Sequence, residues 1–111
     1  ITRSEVIITK AALHSKSTVS CESLMLDSES RSDTIPAMDI RSEDADIGHE
    51  ARIGRISDKA IFYLMSRGLS EGEAKELIVR GFAEPIAKEL PMEYAVEMNT
   101  LIKMEMEGSI G

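Results

Sequence analysis

The chain carries one cysteine, Cys21, and its thiol is the side chain with the most distinctive chemistry available. A thiolate is the natural ligand for iron or for incoming sulfur, and its reactivity follows its pKa. The plainer reading is a buried structural thiol acting as a small core hydrophobe. A lone cysteine excludes an internal disulfide framework and fits a reducing, cytoplasmic compartment. His49 and Glu50 are the second candidates. On a strand, neighbours point to opposite faces. His49 then shares a face with Ile47, Ala51 and Ile53, as a partly buried, hydrogen-bonded histidine. Glu50 shares the other with Asp46 and Arg52, as a surface carboxylate. An enzyme would use the two as an acid–base pair or a mononuclear metal site, but opposite faces argue against both touching one substrate. His14 sits beside a turn and reads as a solvated loop histidine. No glycine-rich phosphate loop is present, so the chain should not bind ATP. The methionines, mostly at helical spacing, read as core filler.

These residues need elements to position them. The first half alternates: Val19, Cys21, Ser23 and Met25 fall on one face, and Thr18, Ser20, Glu22, Leu24 and Leu26 on the other. Segments at roughly 4–13, 17–26, 34–40 and 45–56 read as strands. Polar stretches separate them, none with the Asn-Gly or Asp-Gly pair of a tight hairpin. Such strands can stack as coils of a β-helix or pair as a meander, and periodicity alone does not choose. The second half changes to helical spacing. Ser57 caps a first helix that Gly68 stops. Ser70 and Glu73 form a capping-box pattern for a second. Pro85 should kink or restart it, Pro91 suits the first turn of a third, and Gly108 should end that one.

Net charge is −7, shared between the halves, and an acidic surface repels phosphates. Nucleic-acid binding is therefore not expected. No apolar run reaches the roughly 18 residues of a membrane span, and no signal-peptide pattern opens the chain. Aromatics are 4% with no Trp, thin for a small free-standing domain, and a β-like segment starts almost at Ile1. The expectation is a fragment whose upstream partner strands are missing.

At this point the residues resemble a family. The run His49-Glu50-Ala51-Arg52-Ile53-Gly54-Arg55-Ile56, followed by Phe62-Tyr63-Leu64-Met65-Ser66-Arg67-Gly68, is similar to the C-terminal signature of the SufB/SufD proteins. Ile78-Val79-Arg80-Gly81-Phe82 and Glu89-Leu90-Pro91-Met92-Glu93 continue it, and Glu107-Gly108-Ser109-Ile110-Gly111 resembles the family's chain end. The resemblance runs in order over essentially the whole chain. It implies the last coils of a right-handed parallel β-helix over residues 1–56, with upstream coils missing, and a small C-terminal helical domain over 57–111. It implies a scaffold rather than an enzyme, one that helps assemble a nascent, transient iron–sulfur cluster at a subunit interface, with no cofactor expected as purified. Its implied partners are a SufC-type ABC ATPase on the helical domain and, through the β-helix strands, a second copy or a SufB/SufD-type paralogue.

The resemblance also implies site residues. Cys21, within Cys21-Glu22-Ser23-Leu24-Met25-Leu26, matches a SufB cysteine assigned to cluster assembly. It precedes Glu50 by 29 residues. Glu50 matches a glutamate of the proposed SufB site, and His49 a histidine offered by SufD. A chain with both blends the paralogues and fits a homodimer supplying both half-sites. Some SufB proteins carry a further cysteine near the position of Ser30, which this chain lacks. One thiolate per chain then needs a second chain, a histidine, a carboxylate or an external thiol to complete four ligands per iron. The competing reading is a purely structural, SufD-like interaction subunit without cluster ligands.

Overall fold

The computed structural model describes residues 1–109 and divides the chain into two compact units, one over Ile1–Arg55 and one beginning at Ile56. Ile110 and Gly111 of the chain-end motif lie outside the described residues. The first unit holds four strands: β1 (Thr2–Ile8), β2 (Ser15–Met25), β3 (Thr34–Ile40) and β4 (Ala45–Arg55). Consecutive strands do not pair. β1 pairs in parallel with β3, from Thr2 opposite Thr34 to Ile8 opposite Ile40. β2 pairs in parallel with β4, from Ser15 opposite Ala45 to Met25 opposite Arg55. Parallel pairing needs a long crossover between partners, and here each crossover contains a strand of the other sheet. The ladder of the first pair extends past both ends, through Thr2 N–H to Asp33 O at 2.8 Å and Arg41 N–H to Ile8 O at 2.9 Å.

This arrangement overturns the expected end of a right-handed parallel β-helix. The strands form two separate two-stranded sheets, neither closed nor curled. A stack of coils gains its stability by pairing each strand on both edges around a shared apolar core. Here each strand has one partner, and Ile8 is the buried hydrophobic residue of this unit among the described residues. The meander is excluded as well, because no neighbouring strands form a hairpin.

The turns are held by short-range polar contacts. The Ser15 hydroxyl donates to Ala12 O at 2.9 Å. The Asp27 carboxylate accepts from Glu29 N–H at 2.8 Å, Ser30 N–H at 2.6 Å and the Ser30 hydroxyl at 2.7 Å. These bonds favour its charged form and hold its pKa below the ordinary value.

The second unit has three helices, α1 (Asp58–Ser66), α2 (Glu71–Ala87) and α3 (Met92–Ser109), with α2 packed against both others. Ser57 caps α1 by accepting from Ala60 N–H at 3.2 Å, and Gly68 follows its end at φ 100°, a left-handed conformation that glycine adopts without a Cβ penalty. Both halves of the capping box form: Ser70 Oγ accepts from Glu73 N–H at 3.2 Å, and a Glu73 carboxylate oxygen accepts from Ser70 N–H at 2.8 Å. Ala74 is fully buried, and Ile56, Ile61 and Met106 complete the core of this unit.

Two boundaries depart from expectation. Pro85 does not restart α2, which runs through it to Ala87. Proline removes a single intrahelical donor, and it does so within the last turn. Gly108 does not end α3, which includes Ser109. Pro91 stands immediately before α3, and its carbonyl accepts from Tyr94 N–H and Ala95 N–H, both at 3.0 Å.

Candidate functional site

The β2–β4 sheet positions all three candidate ligands. In its register Cys21 stands opposite Ala51 and Val19 opposite His49. Paired residues share a face, so Cys21 and His49 are diagonal neighbours on one side of the sheet. The odd-numbered residues of β2 from Ser15 to Ser23 are half-buried and the even-numbered ones from Lys16 to Glu22 exposed, which marks this side as the inner one. Cys21 is a free, half-buried thiol. His49 Nε2 is buried with no hydrogen-bond partner, the one such side-chain atom among the described residues. A buried ring nitrogen without a partner loses its hydration uncompensated. Along the same face towards the end of β4, Ala51 and Ile53 are exposed, Ile53 by 57%.

Glu50 stands opposite Ser20 on the other face. Its Oε1 accepts from Arg52 Nε at 2.8 Å and lies 2.7 Å from Arg52 Nη2. Glu22 is the register partner of Arg52. The Glu50 hydrogen bond and charge, then the charge of Glu22, push the Arg52 guanidinium pKa further up. The alternation read from sequence thus places these side chains as expected, with Glu50 beside Arg52. The hydrogen bond expected for His49 does not form at Nε2.

The three candidates do not converge on one point of this chain. The sheet separates Glu50 from the other two, and no group of three or more His, Cys, Asp or Glu among the described residues could hold a metal ion. What one chain offers is a thiol and an imidazole on one face and a guanidinium-bound carboxylate on the other. That set fits no complete iron site.

One pairing escaped sequence reasoning. His14 adopts φ 56° and pairs with the Asp44 carboxylate, linking the turn before β2 to the turn before β4. The two residues stand one position before the first β2–β4 rung, so the pair is visible only once the register is known. The helical unit also leaves many apolar side chains exposed. Phe62 is 74% exposed, and Tyr63 and Met65 on α1 and Tyr94, Val96, Leu101 and Met104 on α3 are exposed with it. Between α2 and α3 lies an open cavity of about 470 Å³, lined by Leu69, Glu76, Leu77, Arg80, Lys103 and Met106 among others. No helix among the described residues is long and apolar enough to cross a membrane.

Comparison with known proteins shows the family of this chain. Residues 1–82 match the family model described as "SUF system FeS cluster assembly, SufBD core domain". The chain is 55% identical over 109 residues to an iron–sulfur cluster assembly SufBD family protein of Mycobacterium tuberculosis, covering 98% of this chain and 13% of that protein. It is 56% identical over 102 residues to a SufBD family protein of Staphylococcus saprophyticus, covering 92% of this chain and 22% of that one. The chain therefore spans between about one-eighth and about one-fifth of the relatives' own length. With most of its length matched by the family model and nearly all of it by these relatives, the chain belongs to the SufBD family of SUF-system iron–sulfur cluster assembly proteins.

Proposed function

We propose that this chain is an interaction segment of a cytoplasmic SUF-type scaffold, not an enzyme, and that it works through the surfaces it offers to partners. The observation that carries this reading is the exposed apolar surface of the helical unit, with Phe62, Tyr63 and Met65 on α1 and Tyr94, Leu101 and Met104 on α3. Exposed apolar surface on amphipathic helices is a common way to present a docking surface. The partner proposed for residues 57–111 is a SufC-type ATPase. The strand region, residues 1–56, is proposed to pair with a second copy or a SufB/SufD-type paralogue through its unpaired strand edges. In the full-length protein, truncation after Ile56 should abolish ATPase capture in a pull-down. Undiminished capture would place the docking surface elsewhere.

A second reading adds a half-site for a nascent cluster, favoured by the shared face of Cys21 and His49 and by the unpartnered His49 Nε2. The cluster would be cargo, passed on rather than kept. One chain would supply a thiolate and an imidazole, and a second chain the remaining ligands. Glu50, on the opposite face, would offer arriving ferrous iron a hard and readily displaced ligand. In this reading Cys21→Ala abolishes reconstituted cluster content at unchanged thermal stability. Normal cluster content in that variant would leave the purely structural reading standing.

A further inference from the structure

We propose that Pro36 closes the outer edge of β3 to strand addition, so that the strand region pairs with a second copy or a paralogue through a different edge. The choice of edge rests on the pairing reading above; the closure itself rests on the directions of two backbone bonds. Thr2 N–H donates to Asp33 O, and Ile8 O accepts from Arg41 N–H, while Thr2 stands opposite Thr34 and Ile8 opposite Ile40. In a parallel pair, a bonding residue reaches the two neighbours of its register partner and not the partner itself. The N–H and C=O groups of the odd-numbered residues from Asp33 to Arg41 therefore turn towards β1. Those of Thr34, Pro36, Met38 and Ile40 turn the other way, to the side on which this sheet has no strand.

Pro36 is the outward position that has no N–H to offer. Proline is tolerated there because it takes no bond from the β1–β3 ladder, and Pro36 is exposed. The same ring defeats an incoming strand, since it brings no donor and its Cδ stands where the hydrogen would point. It divides the seven-residue strand into Thr34–Ile35 and Ala37–Ile40, each shorter than the usual strand of about five or six residues. The edge needs such a break. Ile35, Met38 and Ile40 are exposed apolar side chains on a strand with one partner, the composition that templates unwanted pairing. β1 shows the contrast: its outward residues, Arg3, Glu5 and Ile7, all keep their N–H groups. The β1–β3 sheet is thus open on one side and closed on the other.

The mass of the full-length protein, measured by light scattering at micromolar concentration, tests the closure. Pro36→Thr restores an outward donor with little apolar surface and should about double the parent's mass, since an opened edge joins parent particles in pairs. Adding Met38→Pro closes the same edge two residues further on and should return the mass to the parent's. Aggregation of a misfolded Pro36→Thr would persist in that double variant, and a persistent rise overturns the closure, as does an unchanged mass in Pro36→Thr. Met38→Pro alone should leave the parent's mass as it is; if it dissolves a parent dimer, the second copy already uses β3 and the closure is wrong. Ala37→Pro, whose amide turns inward, should lower the melting temperature by removing a ladder bond. An unchanged melting temperature there would overturn the bond directions on which the closure rests. A monomeric parent is a different result: it sinks the pairing reading of the strand region, while the doubling in Pro36→Thr still decides the role of Pro36.

Discussion

At the residue scale, substitution of Cys21 distinguishes packing from chemistry. If the thiol only packs, Cys21→Ala costs about 1 kcal/mol through lost volume and leaves assembly intact. If it binds cargo, cluster content falls while the melting temperature hardly moves. Both quantities are read on one variant. Asp27 gives a second test, of the turn between β2 and β3. The Ser30 hydroxyl and the backbone N–H groups of Ser30 and Glu29 hold its carboxyl below the ordinary value of 3.8. A group with a depressed folded pKa stabilises fully above its unfolded pKa and loses that contribution as pH falls through the folded value. The contribution of Asp27 is therefore present at neutral pH and fades below about pH 4. Asp27→Asn should flatten that limb of a stability-versus-pH curve, and an unchanged limb would show that the ionisation of Asp27 contributes nothing to folding.

At the element scale, the capping box of α2 is the clearest local device. Ser70 Oγ and the Glu73 carboxylate satisfy each other's backbone donors at the start of the helix. Ser70→Ala should cost about 1 kcal/mol by urea denaturation, whereas Glu73→Gln should cost less, because glutamine also serves at that position of the box. Equal losses would mean that the charge of Glu73 near the helix N-terminus adds to the reciprocal bonding at this end. The same reasoning explains why Pro85 is tolerated. One intrahelical donor is lost, and beyond it the helix closes through Lys88 N–H to Glu84 O at 2.9 Å.

At the scale of the whole molecule, the two units carry separate expectations. Strands with one partner each leave unpaired backbone donors and acceptors along their free edges, and such edges must be paired, covered or charged. The full-length protein is therefore predicted to be a dimer through the strand region, with Cys21 near the twofold axis. Light scattering at micromolar concentration checks the mass, and a monomer would contradict the arrangement. Loss of the helical region should remove the ATPase without dissolving that dimer, since the described core of each unit is its own.

Local physics made much of this legible from the residues alone. Period-two alternation set the faces of Cys21, His49 and Glu50 before any pairing was known. Ser57, Gly68, Ser70 and Glu73 marked helix ends because capping depends on residues within one turn. The motifs around His49–Ile56 and Phe62–Gly68 carried the family. The tertiary structure decided the rest. Parallel partners lie about thirty residues apart, as Ser15 and Ala45 do, and nothing local encodes that offset. It decided that the strands make two separate pairs instead of coils of a β-helix, that His14 meets Asp44, and that His49 Nε2 is buried without a partner. Alternation and capping depend on near neighbours, so sequence determines them; strand partnership and burial depend on which distant segments exclude water together, and only the folded chain settles that.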